Sequence, residues 1–362
     1  MPLPDAPPGW KTNTTLAELA SFLRGKQRIV VITHVKPDGD AVGSSLALVR
    51  TLNKPQAWVS ANRARAWYFG PQAPWLRAVA GDSPYKVLGA DGPPTDVEPD
   101  AVVVVDTGSW AQLEAVQEWL APRREIVSIV DHHMQGDPEV AKRLQIDTGA
   151  AAVCQPVARL CCELLNVPEP CKLPADVAEV LYLGLATDTG WFRHSNVSRA
   201  VMNLAGELLD AGANHVRLYQ VVEQQETASR LKLLSRALGS LELFDKDRLA
   251  VMTVTRKDFA DTGAQPGESG GFVDFGQSIP TVQVTCLLTE ASPAEFGQPG
   301  TGPITKVSLR SKPTDHAVDV NVVAKGLGGG GHVRAAGART MMTMEQTKAA
   351  VIKLVMEQTG GA

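Results

Sequence analysis

Three short runs of mostly β-branched residues, QRIVVIT (27–33), AVVVV (101–105) and IVSIV (126–130), constrain this chain more than any other feature. Each is strand-sized, apolar on successive positions and bounded by polar turns. That is how a strand buried on both faces of a parallel sheet reads. Helical stretches alternate with them. Thr15-Leu-Ala-Glu18 is a capping box that opens a helix through about Leu23. A second helix is expected from about Ala41 to Leu52, a third over Pro174–Ala186, and a fourth over Ser198–Leu209 with Gly212 as its stop. The alternation implies βαβ units and an α/β fold, a parallel sheet with helices on both faces. Residues 81–100, rich in Gly, Pro and Asp, read as a surface excursion. The Pro-rich first dozen read as frayed.

With 362 residues the chain is long enough for two domains. From Asn214 to Ser240 the helical pattern continues but turns polar, which suggests a helical connector. The expected organisation is therefore a domain over 1–213, a connector over 214–240 and a smaller α/β domain over 241–362. Strands of the last are expected near Leu249–Thr255, Thr281–Leu288, Thr305–Ser311 and Gly337–Met342. A Gly/Pro loop spans 291–304, and a terminal helix begins at the capping box Thr343–Gln346. With 44% hydrophobic and 20% charged residues the composition is that of a soluble enzyme, not a disordered tail or a rod. No apolar run approaches the roughly 20 residues that span a bilayer. The net charge of −4 argues against a partner such as long duplex nucleic acid. Five cysteines form no even disulfide framework and no zinc-type pairs, and the start MPLPDAPPGW lacks a signal pattern. A cytoplasmic protein is expected; the sequence allows a homodimer but does not specify one.

The chemistry lies just beyond the strands. His34, Asp38 and Asp40 come after the first, Asp106 after the second, and Asp131, His132 and His133 after the third; Asp188 ends the helical stretch Leu181–Thr187. In an open parallel sheet the loops beyond the carboxyl ends of strands converge on one crevice. A lone Asp at a strand end is commonly a turn or helix cap, and a lone His pair is commonly packed or solvated. Here several such residues arrive together. Uncompensated carboxylates in one cleft repel each other and call for a cation. Mixed imidazole and carboxylate donors suit Mn²⁺, Fe²⁺, Co²⁺ or Zn²⁺. The donor number exceeds the need of one ion, which points to a pair of divalent ions and to phosphoester hydrolysis.

The second domain adds Gly328–Gly331 with His332 directly after, between a helical stretch (Val318–Lys325) and a strand. Consecutive glycines can turn their N–H groups around an anion, although a Gly-rich run is equally a flexible loop. Lys306, Arg310 and Lys312 alternate along KVSLRSK, either as solvated edge charges or as a phosphate clamp. Trp67-Tyr68-Phe69 with Trp75 could stack a base, but core packing is the simpler reading. At 5% aromatic residues, platforms for long single strands are few.

Together HVKPDGDAVGS, VVVDTGS, VDHH and ATDTGWF resemble, in order, the four motifs of the DHH phosphoesterases. KVSLRSK, DVNVVA and GGGGHVRAAG resemble the DHHA1 domain found after them in one branch. The resemblance runs from about Leu16 to the C-terminus. Size and arrangement are most like the oligoribonuclease and 3′-phosphoadenosine-5′-phosphate phosphatase branch. It implies a parallel-sheet catalytic domain, a helical connector and a smaller α/β domain with a mixed sheet. It implies two divalent metal ions, with Mn²⁺ preferred. His34, Asp38 and Asp106 would hold one ion, and Asp40, Asp106, His132 and Asp188 the other, with Asp106 bridging. The catalytic set would be Asp106, His133 beside the scissile phosphate, and Asp131 supporting the shell. Arg310, Gly329, Gly330, Gly331 and His332 would bind substrate phosphate or a terminal nucleotide; Arg193 and His194 come after the fourth motif. The partners implied are short RNA oligonucleotides or small nucleotides. Cyclic-dinucleotide or linear di-adenylate hydrolysis is the alternative, ahead of inorganic pyrophosphatase, long single-strand exonuclease or a non-catalytic nucleotide-binding module.

Overall fold

A computed structural model of the chain describes residues 9–54, 63–89, 92–94, 98–291, 302–314 and 317–360. The chain divides into two compact units, Met1–Gln225 and Glu226–Ala362. The first runs α1 (Leu16–Arg24), β1 (Ile29–Ile32), α2 (Gly39–Leu52), β2 (Ala64–Phe69), α3 (Leu76–Ala80), β3 (Tyr85–Leu88) and β4 (Ala101–Val105). It continues with α4 (Gln117–Leu120), β5 (Val127–Asp131), β6 (Arg143–Ile146), α5 (Cys154–Leu165), α6 (Ala175–Asp188), α7 (Arg199–Asp210) and α8 (His215–Glu223). All six strands are parallel, in the order β3-β2-β1-β4-β5-β6.

Alternating side chains of each strand feed two cores. Ile29, Val31, Val103 and Val105 meet α1, α2, α5 and α6 on one face. Val30, Ile32, Val102 and Val104 meet Leu113, Val116 and Leu120, from α4 and short 3₁₀ turns, on the other. Burial on both faces is why β1 and β4 carry no polar residue. Each buried Val or Ile stabilises the fold by roughly 1.5–3 kcal/mol. The order reverses between β1 and β4, so the crevice beyond their carboxyl ends is the switch point where such sheets bind ligands.

Several elements differ from expectation. β3 lies inside the stretch read as a surface excursion, part of which falls outside the described residues. β2 carries Trp67, Tyr68 and Phe69, all buried, so this cluster is core. The expected frayed start lies outside the described residues at 1–8, but from Trp10 onward it is ordered by contacts. Trp10 is 3% exposed. Asn13 and Thr12 pair with the edge strand β6: Leu144 N–H donates to Asn13 Oδ1 (2.7 Å) and Ile146 N–H to Thr12 Oγ1 (2.9 Å). Thr15 and Glu18 form the capping box of α1.

The second unit runs α9 (Ala228–Gly239), β7 (Glu242–Phe244), β8 (Leu249–Val254), α10 (Arg256–Thr262), β9 (Val284–Ala291) and β10 (Ile304–Ser311). It ends with α11 (Val320–Gly326), β11 (Gly330–His332), β12 (Ala335–Thr340) and α12 (Met344–Thr359). Its sheet, β11-β12-β10-β9-β8-β7, is mixed: β8 and β9 are parallel and the other pairs antiparallel. Val307 and Leu309 turn inward onto α11 and α12, leaving Lys306, Ser308 and Arg310 on the opposite face. Thr343 and Gln346 form the capping box of α12. The polar stretch 214–240 is two helices, α8 in the first unit and α9 in the second. The loop read over 291–304 falls, at 292–301, outside the described residues. Among the described residues no helix is long and apolar enough to cross a membrane. All five cysteines are free.

Candidate metal centre

The sequence predicts that residues after β1, β4 and β5 and at the end of α6 meet, and the structure brings them to one cleft of about 320 Å³. His34, Asp38, Asp106, Asp131, His132, His133 and Asp188 all line it. Asp40 stands behind them, 1% exposed. Three sets of side chains have ligand atoms within 4.8 Å of one another: His34 with Asp38 and Asp106, Asp40 with His132 and Asp188, and Asp106 with His132 and His133.

Asp106 is the hub. The chain leaves β4 through a left-handed residue, φ 63° at Asp106, a conformation that Asp tolerates better than most. Its N–H donates to Val130 on β5 (3.1 Å) and its carboxylate turns into the cleft, 3% exposed. Oδ2 lies 3.5 Å from His34 Nε2 and Oδ1 lies 3.4 Å from His132 Nε2. Both imidazoles are fixed from behind. The Nδ1 of His34 meets the Val35 carbonyl (2.9 Å) and that of His132 meets the Ala150 carbonyl (3.1 Å). A carbonyl only accepts, so Nδ1 carries the hydrogen in each ring and Nε2 is aimed at the carboxylates. This is the arrangement by which proteins present histidine to a metal.

The acidic residues are placed by helices. Asp38 caps α2, accepting from the N–H groups of Asp40 and Ala41, both at 3.1 Å, so the cap reading and the site reading hold together. Asp40 accepts from the backbone N–H groups of Val153 (2.5 Å) and Cys154 (3.1 Å) at the start of α5, and from Ser44 Oγ (3.2 Å). The partial positive charge of that helix end offsets part of its burial. A Cβ on Gly184 would fall 2.6 Å from Asp40 Oδ1, so only glycine lets α6 come this close to α2. Asp188, the last residue of α6, then lies 3.6 Å from His132 Nε2.

The charges are held at a cost. Burial, then the neighbouring Asp106 and Asp188 charges, push the Asp40 carboxyl well above its ordinary range. Burial pushes Asp188 up to about 6, against the opposing pull of His132. Burial opposes charge on His34, but hydrogen bonds to Asp106 and Asp38 outweigh it and raise its pKa to about 10. His132, equally buried, is raised to about 10 by Asp106 and Asp40. The cluster thus gathers positive charge wherever it can, as sites that bind cations do.

His133 is different. Its Nδ1 donates to Asp131 Oδ1 (2.7 Å), and that oxygen also accepts the N–H groups of His132 (2.7 Å) and His133 (3.2 Å). Asp131 is fully buried and its Oδ2 meets no donor. The bond to Asp131 raises the His133 pKa, while the ring itself is about half exposed at the mouth of the cleft. This is a carboxylate-oriented imidazole facing solvent, its proton affinity raised by Asp131.

In the second unit, Arg310 on β10 and His332 on β11 both register with Ala335, from opposite sides of β12. Arg310 Nε pairs with Asp274 (3.1 Å). Three amides of the glycine run are already engaged: Gly328 N–H donates to Lys325, Gly329 N–H to Ala324 and Gly331 N–H to Asn321 Oδ1. The expected ring of free amides is therefore not formed by these three. Lys312 Nζ donates to the Ile279 carbonyl (2.7 Å). Arg193 and His194 do not line the cleft; Arg193 Nε donates to Gly190. Sequence reasoning missed the α5 amides beneath Asp40 and the pocket-lining Gln112 and Gln135. A helix N-terminus made of Ala, Val and Cys offers no polar signal to read.

The chain's likenesses agree with this geometry. The model of the DHH family, N-terminal domain, matches residues 28–185, and that of the DHHA1 domain matches residues 246–358. A protein of Thermus thermophilus named bifunctional oligoribonuclease and PAP phosphatase NrnA is 29% identical over 353 residues, covering 96% of this chain and 95% of that one. A cyclic-di-AMP phosphodiesterase, PdeA, of Listeria monocytogenes is 24% identical over 87% of this chain but 45% of its own length. The crystal structure of an exopolyphosphatase-related protein from Bacteroides fragilis superposes with a TM-score of 0.72 at 22% identity, covering 95% and 96% of the two chains, which shows the shared fold. The chain belongs to the DHH family, with its DHH domain followed by a DHHA1 domain.

Proposed function

We propose that this protein is a divalent-metal-dependent phosphoesterase that hydrolyses short oligoribonucleotides and 3′-phosphoadenosine 5′-phosphate. The observation that carries the reading is Asp106, held between two imidazoles whose Nδ1 atoms are tied back to carbonyls. The donors fit a metal pair: His34, Asp38 and Asp106 would hold one ion, and Asp40, Asp106, His132 and Asp188 the other. Imidazole mixed with carboxylate suits Mn²⁺. Bound there, such ions supply charge neutralisation at a phosphoryl group and acidify water.

The chain's own residues do the rest. His133, whose proton affinity the bond to Asp131 raises, is the residue at the cleft mouth that we assign to donate to an oxygen of the reacting phosphate. Asp131 fixes the tautomer and direction of that ring. Arg310, His332 and the Gly329–Gly331 segment bind a phosphate or terminal nucleotide, so that residues 1–213 cleave and residues 241–362 select, with 214–240 linking them. Free thiols throughout fit a reducing cytoplasm. The relatives named for oligoribonuclease and PAP phosphatase activity favour this substrate class; the Listeria relative makes cyclic or linear di-adenylates the second reading.

A substrate panel with Mn²⁺ decides between them: labelled RNA dimer to pentamer, 3′-phosphoadenosine 5′-phosphate, cyclic and linear di-adenylate, and pyrophosphate. Highest kcat/KM on the short RNAs or the bisphosphate is the expected result. Preference for pyrophosphate overturns the reading.

A further inference from the structure

We propose that Trp10, outside the stretch matched by the DHH family model, is a positioning residue for the metal centre: its indole spaces the loops after β4 and β5 and orients His133. The ring is 3% exposed and lies against both loops. A Cβ on Gly108, two residues after Asp106, would fall 2.0 Å from Trp10 Cη2; one on Gly136, three after His133, would fall 2.4 Å from the same atom. The two loops are joined directly by Asp137 N–H donating to the Gly108 carbonyl (2.8 Å), and the indole fills the space beside that bond. Its Nε1–H donates to the carbonyl of His133 (3.0 Å).

The imidazole of His133 is therefore set from two sides, by Asp131 through the ring and by Trp10 through the backbone. Trp10 is in turn anchored, because Thr12 and Asn13 are bonded to β6, the neighbour of β5. A side chain that touches neither substrate nor metal thus fixes how far the Asp106 loop stands from the His132–His133 loop. Small displacements there matter, since misplacing a reacting group by about 1 Å costs on the order of 100-fold in rate.

The catalytic part of this inference rests on the proposed phosphoesterase reading, so the test has a readout independent of activity. Hydrogen exchange of the full chain is followed at 106–110 and 132–137 in wild type, Trp10→Phe and Trp10→Ala, beside kcat and KM on an RNA dimer with Mn²⁺. Trp10→Phe loses the donor and the outer ring atoms Cζ2, Cζ3 and Cη2 that lie against Gly108 and Gly136. It is expected to speed exchange in both loops by about threefold and to lower kcat at least about fivefold with KM within about twofold, one lost hydrogen bond and a part-filled wedge. Trp10→Ala is expected to speed exchange in both loops by about 10-fold while α2 stays protected, and to lower kcat about 100-fold. Wild-type turnover in Trp10→Phe, or unchanged exchange in Trp10→Ala, overturns the proposal. If wild type hydrolyses none of the phosphoesters, the functional reading fails alone, and exchange still decides whether Trp10 holds the loops. Should Trp10→Ala not fold, Trp10→Phe carries the test.

Discussion

At the ends of β1, β4 and β5 the carboxylates of Asp40, Asp106 and Asp131 are buried at the floor of the cleft, with Asp38 and His133 at its open mouth; on β10 and β11 of the second unit the charged residues stand on or beside a sheet face with no such buried floor. Asp40 and Asp106 are 1% and 3% exposed, whereas the side chains of Arg310 and its partner Asp274 are 35% and 53% exposed. Burial multiplies every interaction in the first region, because charges there are weakly screened. In the second it leaves single contacts that solvent and salt can replace. The first arrangement suits chemistry that depends on charge, and the second suits reversible grip. Substitutions in the two regions should therefore fail in different ways.

The largest expected effect is at His133. His133→Ala removes the ring that Asp131 orients and should lower kcat by about 100-fold or more, with KM little changed, in steady-state assays with Mn²⁺. A normal kcat would remove His133 from the reaction. In the second unit, Arg310→Ala should instead raise KM about 10-fold, the worth of a charged hydrogen bond to phosphate, and leave kcat nearly intact. A collapse of kcat with KM unchanged would erase the distinction between the regions.

Stability should respond in the opposite sense from activity. Asp188 has its pKa raised by folding from 3.8 to about 6. The folded state therefore binds the proton more tightly than the unfolded chain, and stability falls as pH rises between these values. Asp188→Asn cannot ionise. In chelated, metal-free protein it should raise Tm by a few degrees at pH 8, and the gain should vanish near pH 3. A lower Tm at pH 8 would contradict the charge crowding inferred here. The smallest effect is expected at Asp274, which occupies Arg310. Asp274→Asn should lower KM about twofold, since exposed pairs are worth at most about 1 kcal/mol. A raised KM would show that Asp274 holds Arg310 in its binding position.

The region most legible in the sequence is the buried one, for a physical reason. AVVVV ending in Asp106 and IVSIV ending in Asp131-His-His place charge directly after strands that have no solvent face. A charge so close to the core is costly unless a partner or an ion meets it there. The edge strands β3 and β6 were not legible, because YKVL and RLQI are short and half-exposed and carry no clear period. The glycine run was legible only in part. Its Gly328, Gly329 and Gly331 amides bond to α11, a use that a stretch of four glycines does not announce. Trp10 was hidden by its Pro-rich surroundings, since what orders it is contact with glycines about 100 residues or more away in the chain.

The central claim is that two ions share one carboxylate, and Mn²⁺ titration calorimetry on metal-free protein tests it most directly. Wild type should bind two Mn²⁺ per chain, with affinity rising with pH as protons leave His34 and His132. Asp106→Asn should lose that stoichiometry while keeping the folded circular dichroism spectrum. Two Mn²⁺ still bound at wild-type affinity in Asp106→Asn, or none bound by wild type, would contradict the account.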